Sequence, residues 1–421
     1  MKRNIKSLFT VSLPFLFLFL FSNCANKDND YIDPRGNVYA GSVSCKECHQ
    51  EIYNDALNSS HYKASAPASV ENVLGNFSSG HNTYSYDKDT KIVMEHRNNG
   101  LYQVHYKNGK EVKAYRFDIT MGAKNAQTSL FWNDDKVYEM PLSFYTSVQN
   151  WGTSPDYPVH QPYFDRLIAK DCFECHSSYL ERKQERTPSE EYFGREKTPE
   201  TMKKESLVYG IDCERCHGPG INHVNYHTIY PEIKTAKYMV TKKSLTTQQR
   251  VDRCAICHYG DDKLKLQSRF QFIPGDAISN FYSESYPSPD ADLDVHGNQY
   301  GMLSQSKCFL ESKTMDCISC HNPHKDAKEG LLYYSQKCMS CHSETNKNFC
   351  TTKASPGISL KDNCIDCHMP KKASGAISFM LSGKSEMSSY MLRSHRIAIY
   401  PAEAQKKNGC KEKVRLRKSR S

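Results

Sequence analysis

The chain has 421 residues, of which 38% are hydrophobic, and a formal net charge of +9 at pH 7. The positive charge is concentrated at the ends, because residues 1–23 carry a net +3 and residues 406–421 a net +7, which leaves −1 for the rest. A body near neutrality gives nucleic-acid binding no electrostatic basis, so we predict no nucleic-acid partner. The hydrophobic fraction is also low for a conventional core in a chain of this length.

Residues 1–23 have the pattern of a secretory signal peptide. Three basic residues precede an apolar run from Leu8 to Phe21, which is short for a membrane span. The run ends in Leu-Phe-Ser-Asn-Cys, which resembles a lipoprotein signal, although Asn23 stands where Gly or Ala is usual. We predict that Cys24 is lipidated and that residues 24–43 tether an exported protein, periplasmic or at the cell surface, to a bacterial membrane. Plain cleavage to a soluble form is the alternative.

Residues 44–80 form a segment around Cys45–His49, which has the pattern C-x-x-C-H. This pattern is typical of c-type haem attachment, in which two thiols bond to the porphyrin and the histidine is the proximal ligand of the iron. The same pentapeptide occurs seven times, and in chain order the occurrences are called sites 1 to 7. They span residues 45–49, 172–176, 213–217, 254–258, 317–321, 338–342 and 364–368.

Seven such pentapeptides predict seven covalently bound haem c groups. Structural zinc gives no reason for a histidine after every second cysteine, and a redox dithiol does not require one. Export agrees with this prediction, because haem c is attached outside the cytoplasm. The predicted attachment residues are Cys45, Cys48, Cys172, Cys175, Cys213, Cys216, Cys254, Cys257, Cys317, Cys320, Cys338, Cys341, Cys364 and Cys367. The predicted proximal iron ligands are His49, His176, His217, His258, His321, His342 and His368.

Residues 81–150 are predicted to form a small antiparallel β region. The stretch from Tyr84 to Ile119 alternates apolar and polar residues around Asn99-Gly100 and Asn108-Gly109, which are strong hairpin signals. Ser129 to Met140 indicates a further pair of strands around a turn.

Residues 151–400 are predicted to be a six-haem region, followed by a basic, disordered tail at 401–421. Short helical stretches broken by Pro and Gly alternate with loops in the six-haem region. The expected fold class is therefore mainly α with much irregular structure, a multihaem cytochrome c fold organised by its haems, plus the small antiparallel β insertion.

Each haem iron has a second axial position, and ten histidines lie outside the seven motifs. They favour bis-His haems over Met/His ligation, although thirteen methionines leave the second possibility open at single sites. His324 lies too close in sequence to His321 to reach the far face of the same haem, so it serves a neighbouring haem or none. His96 and His105 lie in predicted strands and are read as ordinary sheet residues. The candidate second ligands are His61, His223, His296, His324 and His395.

Several segments together resemble a known superfamily. They are SSHYKAS, GIDCERCHGPGINH, DVHGNQYG, CISCHNPH, NCIDCHMP and RSHRIAIY. These segments are similar to those of exported multihaem cytochromes c of the superfamily that includes the nitrifier tetrahaem electron carrier and hydroxylamine oxidoreductase. The resemblance implies bis-His haems in stacked and perpendicular pairs, and by position it supports four of the candidates: His61, His223, His324 and His395. Between sites 6 and 7, where relatives often carry histidines, this chain has none and has Cys350 instead.

Three functions from different classes are compatible with these features. The preferred one is electron transfer through closely packed bis-His haems to and from redox partner proteins, such as a membrane oxidoreductase or other cytochromes. The alternative is a multihaem oxidoreductase that acts on a small nitrogen or sulfur compound at a haem with an open distal side. A structural or haem-storage subunit is the third. Every motif ends in His, and the other histidines suffice to close each site, which favours electron transfer over catalysis.

Overall fold

The computed structural model describes residues 32–184, 200–260, 263–283, 292–326, 330–346, 348–351 and 359–403. The predicted signal peptide, the predicted lipidation site Cys24 and residues 404–421 of the predicted tail lie outside the described residues. No helix within the described ranges is long and apolar enough to cross a membrane.

The described residues contain fifteen strands, which pair only antiparallel within their sheets. Their bounds are β1 Ser65–Pro67, β2 Thr83–Ser85, β3 Thr90–Arg97, β4 Gly100–Lys107, β5 Lys110–Arg116, β6 Ile119–Met121, β7 Ala126–Asn133, β8 Lys136–Glu139, β9 Leu142–Tyr145, β10 Asn150–Thr153, β11 Arg166–Leu167, β12 Ser177–Arg182, β13 Met202–Tyr209, β14 Lys371–Phe379 and β15 Ser388–Arg393.

The helices are short. In the described part of the chain they are α1 Gln50–Leu57, α2 Lys170–His176, α3 Cys213–His217, α4 Ile221–Ile229, α5 Thr247–His258, α6 Gln299–Ser304, α7 Lys307–Glu311, α8 Leu331–Met339 and α9 Ile365–His368. Single 3-10 turns lie at Ser42–Cys45, Lys242–Ser244, Arg269–Gln271, Ile278–Asn280 and Cys317–Ser319.

The hairpins expected between residues 84 and 119 are present. Strands β2 to β5 form a four-stranded meander, in which Asn98-Asn99 joins β3 to β4, with Gly100 as the first residue of β4, and Asn108-Gly109 joins β4 to β5. Asn108 has a φ of 51° and Gly109 a φ of 76°, the left-handed geometry that a tight hairpin turn requires. His96 and His105 lie in β3 and β4 within this sheet.

A second sheet of seven strands packs on the meander. Its main path is β1-β6-β7-β8-β11, and β9 joins it through β7 and β10. Alternating inward residues of the two sheets form one core around Ile92, Met94, Phe131 and Trp151. A second core lies on the other side, where Leu130 and Val137 meet Phe173 and Leu180 of the haem-site segments.

The expectation of a mainly α fold is wrong, because the structure is 25% helix and 26% strand. Two further antiparallel pairs, β12-β13 and β14-β15, lie inside the region expected to be helices and loops. Their sequences are rich in Lys, Ser and Glu on exposed faces, and bulges interrupt both registers, so the apolar alternation is weak. The helices are correspondingly brief, and several consist of little more than the attachment motif.

At four of the seven sites, the motif lies in a helix that ends at the histidine. The helices α2, α3, α5 and α9 terminate at the last residue of sites 2, 3, 4 and 7. At sites 3 and 5, an aspartate before the first cysteine caps the turn, since Asp212 accepts from the Arg215 amide and Asp316 from the Ser319 amide. This local geometry places two thiols and one imidazole on the same turn of backbone.

Candidate haem sites

Four motif histidines have a second histidine ring facing them. The ring centres are 6.3 Å apart for His49–His223, 6.1 Å for His258–His61, 5.9 Å for His217–His324 and 6.2 Å for His321–His395. The corresponding angles between ring planes are 16°, 81°, 9° and 36°. In each pair, residues distant in sequence supply the two rings.

These separations fit haem. Two imidazoles bound to opposite sides of one iron have ring centres about 6 Å apart, from roughly 2 Å for each iron–nitrogen bond and about 1 Å from nitrogen to ring centre. The four observed pairs agree with one another within 0.4 Å, from 5.9 to 6.3 Å. The donor set of two thiols and two imidazoles at each of these sites is therefore suited to covalently held, bis-His haem.

Backbone and amide oxygens fix the ring nitrogens of these histidines. The Nδ1 atom of His217 donates to the Val240 carbonyl at 2.8 Å, and that of His223 to the Lys237 carbonyl at 2.7 Å. The other rings held by an oxygen are His258 by Gln299 at 3.1 Å, His342 by Asn348 at 3.1 Å and His368 by Ala398 at 2.8 Å. Because Nδ1 carries the proton, the Nε2 lone pair is left for a metal.

Burial keeps the inner histidines neutral. Burial and, to a smaller extent, the neighbouring His61 lower the pKa of His258 to about 4. It likewise lowers the pKa of His395 to about 4. An imidazole must be deprotonated at the binding nitrogen to serve as a ligand, so these sites are ready for metal at neutral pH.

The tetrapeptide His321–His324 connects three sites. His321 faces His395 at site 5, and His324 faces His217 at site 3. Between them, the Pro323 carbonyl accepts a hydrogen bond from His61, whose ring faces site 4. The second histidine of the sequence CISCHNPH therefore lies against a neighbouring motif and not against its own.

Cysteines of different motifs touch one another and place the sites in a row. Four pairs of thiols from different motifs lie next to each other: Cys45 and Cys213, Cys254 and Cys317, Cys175 and Cys257, and Cys338 and Cys364. Cys216 also lies close to Cys254, and Cys320 lies close to Cys338. The order that follows is site 1, 3, 4, 5, 6 and 7, with site 2 beside site 4.

A buried ionic cluster ties the segment of site 1 to that of site 3. Arg35 bridges Asp33, Asp212 and Glu214 at 2.8 to 3.1 Å, and all four side chains are at most 5% exposed. Glu214, within the motif of site 3, also accepts from the Ala40 and Gly41 amides just before site 1. Burial raises the pKa of Glu214, and Arg35 opposes that shift. The two sites are thus held together by charge as well as by the Cys45–Cys213 contact.

The structure does not bring all predicted ligands together. His296 is exposed and lies outside the four ring pairs. Its backbone amide donates to the Asp294 carboxylate. Sites 2, 6 and 7, at His176, His342 and His368, are likewise outside these pairs. Sequence reasoning missed the oxygens that orient the rings. Most are backbone carbonyls, which carry no signal in the side-chain sequence.

Comparison with known proteins points to the same chemistry. The family model described as "Doubled CXXCH motif" matches residues 311–349, which contain sites 5 and 6. The multiheme cytochrome MtrA of Shewanella baltica (strain OS185) is 26% identical over 152 residues, 33% of this chain and 44% of the relative. The chain is a multihaem c-type cytochrome. The match thus spans less than half the length of that curated relative.

A solved structure shares the fold of this cytochrome. The crystal structure of outer cell wall cytochrome OcwA superposes with a TM-score of 0.53 and 17% sequence identity, and it covers 89% of this chain and 82% of the other. At that identity the likeness concerns the fold alone. The overall fold is therefore shared with a protein that is itself named a cytochrome.

Proposed function

We propose that this cytochrome carries seven haems and transfers electrons through closely packed bis-His sites outside the cytoplasm. The observation that carries the proposal is the set of four facing histidine pairs, 5.9 to 6.3 Å between ring centres, joined in one row. A second imidazole at each of these sites fills the position that a substrate would need. That arrangement favours electron transfer over catalysis.

Haem c supplies a reversible one-electron iron couple when bound. The protein's part is to hold that couple between two neutral imidazoles, each fixed in orientation by an oxygen acceptor where the contacts are described. Burial lowers the pKa of His258 and of His395, so both imidazoles are neutral ligands at sites 4 and 5. A rigid, doubly ligated site changes little when its charge changes, which is what rapid electron transfer requires.

The row of sites supports movement of electrons along the chain. Contacts between thiols of neighbouring motifs keep sites 1 and 3, 4 and 5, 2 and 4, and 6 and 7 adjacent. Such adjacency gives short distances between attached cofactors. Sites 1 and 7 are the ends of the row, and site 2 is a branch beside site 4. We propose these three sites as the points where electrons enter and leave the protein.

The remaining sequence predictions are part of the same proposal. Sites 2, 6 and 7 carry haem like the others, and His296 is kept as a candidate ligand. We also propose export with a lipid anchor at Cys24, redox partner proteins, and kinship with the superfamily of the nitrifier cytochromes and hydroxylamine oxidoreductase. OcwA is named an outer cell wall cytochrome, which supports a location outside the cytoplasm for this chain as well.

Two measurements on the purified holoprotein test the proposal. Intact-mass spectrometry counts covalent haems, and an anaerobic titration with a calibrated reductant counts electrons. We expect seven haems per chain and uptake of seven electrons, with no ligand-induced change when nitrite, hydroxylamine or sulfite is added. Fewer haems than motifs, or a spectrum that shifts on adding one of these compounds, would overturn it.

A further inference from the structure

An exposed group of aromatic side chains lies beside site 1. The ring centre of Tyr226 is 5.0 Å from that of Tyr230 and 5.6 Å from that of Tyr238. Tyr226 also contacts His227 at 5.2 Å, and His227 lies 4.6 Å from His223, the histidine that faces the motif of site 1. Aromatic contacts therefore run without a gap from the surface to this site.

The outer members of this group are unusual for a protein surface. Ile229 is 67% exposed, Tyr230 45% and Tyr238 66%. Tyr238 also has a φ of 57°, in the left-handed region that bulky side chains rarely adopt. Tyrosine is enriched at protein interfaces, and an unusual backbone conformation such as that of Tyr238 is more frequent at functional sites than elsewhere.

The charge around these residues is one-sided. Residues 228–243 contain four exposed lysines and one glutamate, a net charge of +3, whereas residues 24–405 as a whole are at −1. Lys237 directly precedes Tyr238 in the chain, and Lys234 lies four residues before it. A positive rim around exposed aromatic side chains is complementary to an acidic protein and accelerates its approach.

Site 1 is also placed for contact with another protein. It stands at one end of the row and touches site 3 through the Cys45–Cys213 contact. The backbone of Lys237 connects the surface to two histidines beside site 1. Its carbonyl accepts from His223, and its amide donates to His227. A partner seated here is one aromatic layer from the end of the row.

We propose that the α4 surface, defined as Ile229, Tyr230, Lys234, Lys237 and Tyr238, docks an acidic redox protein that exchanges electrons with site 1. The inference rests on the proposed electron-transfer function and adds the place and the charge of the partner. In each encounter the partner is oxidised by one electron and the cytochrome is reduced by one. No bond is made or broken, and no proton is transferred.

The charge can be tested with fully reduced flavodoxin, an acidic flavoprotein, as the electron donor to the haem-loaded full chain in stopped-flow experiments. At low ionic strength we expect Lys234→Glu/Lys237→Glu to lower the second-order rate constant by about tenfold. The matched control is Lys110→Glu/Lys113→Glu on β5, with the same charge change on an exposed strand. The wild-type rate should also fall as salt is added. Equal loss in both variants, or no loss, would overturn the proposal.

The aromatic part has its own test. We expect Tyr238→Ser to slow reduction by flavodoxin several-fold, whereas Tyr163→Ser, at a tyrosine that is 39% exposed elsewhere, leaves the rate unchanged. Dithionite is a small reductant that needs no docking surface, so it distinguishes a failure of the docking proposal from a failure of the proposed function. Reduction by dithionite with no effect of either surface variant on flavodoxin contradicts the docking surface alone. A chain that dithionite cannot reduce contradicts the proposed function itself.

Discussion

His324 lies three residues after His321, yet the two rings face different partners, His217 and His395. The sequence restricted His324 to a neighbouring haem or none, because a porphyrin separates the two faces of one iron. It did not identify which neighbour, since that depends on how residues 213–217 and 317–324 approach in three dimensions. Residue types were thus readable from the sequence, and their pairing was not.

Replacing His324 by alanine tests the pair at site 3. We expect one haem to change from low-spin to high-spin, because its iron loses one of two strong imidazole ligands. His96→Ala, on the exposed side of β3, is the control and should leave every haem unchanged. Electron paramagnetic resonance of the ferric variants counts the spins. A low-spin count equal to that of the wild type would rule out His324 as a ligand.

At the scale of elements, the sequence was reliable where the backbone itself demands a residue type. Asn99-Gly100 and Asn108-Gly109 marked two hairpins, and in the second both Asn108 and Gly109 adopt the left-handed conformation that few other residues accept. The pairs β12-β13 and β14-β15 were missed. Bulges interrupt the registers of both pairs, and their exposed faces hide the period of two.

Gly210 shows how an element positions a site. It has a φ of 63°, and an added Cβ would clash with the Tyr62 carbonyl oxygen. The next amide, that of Ile211, donates to the backbone carbonyl of His61. We expect Gly210→Ala to destabilise the holoprotein by about 2–4 kcal/mol and to displace His61 from site 4. Chemical unfolding and the low-spin count measure the two effects.

Gly297 provides the matched control, because its φ is 69° and nothing lies within 4 Å of an added Cβ. Gly297→Ala should therefore cost about 1 kcal/mol from the backbone alone and leave site 4 intact. Similar losses in the two variants would show that the contact with Tyr62 is unimportant.

A buried carboxyl in the sheet makes stability depend on pH. Burial raises the pKa of Glu139 to about 7 from 4.5, and the contacts with Arg166 and Thr128 only partly oppose the shift. The folded chain therefore binds this proton more tightly than the unfolded chain. The stabilisation is complete below about pH 4.5 and is lost as the pH rises through 7.

Glu139→Gln removes this dependence. We expect the variant to be more stable than the wild type above pH 8, by up to about 3 kcal/mol, and the difference to disappear near pH 4.5. Unfolding midpoints in guanidinium chloride at several pH values give the comparison. A variant that is less stable at every pH would show that the ion pair with Arg166 outweighs burial.

At the scale of the whole molecule, apolar burial is uneven. The sheets contain three hydrophobic clusters, and α5 packs in a fourth around Ile256 and Phe272. Among the described residues between 303 and 364, no hydrophobic side chain counts as buried. Sites 5 and 6 lie wholly in that stretch. The shortage of buried apolar side chains is therefore concentrated around these two sites, where attached cofactors would take the place of a hydrophobic core.

This distribution predicts that the chain made without haem folds in part. Limited proteolysis should cut residues 303–364 at least tenfold faster in the haem-free chain than in the holoprotein, since attached cofactors stabilise only the folded form. Residues 90–153 of the sheets should resist in both. Equal protection of residues 303–364 with and without haem would contradict this account.

The central claim, bis-His haems in a row, is tested most directly by the electron paramagnetic resonance spectrum of the ferric holoprotein with haem counted in parallel. We predict that at least four haems are low-spin. Site 4, with ring planes 81° apart, should give a signal distinct from that of site 3, with planes 9° apart. Parallel and crossed imidazoles split the iron orbitals differently. A spectrum dominated by high-spin iron, shifting with nitrite or hydroxylamine, would contradict the account and favour an enzyme.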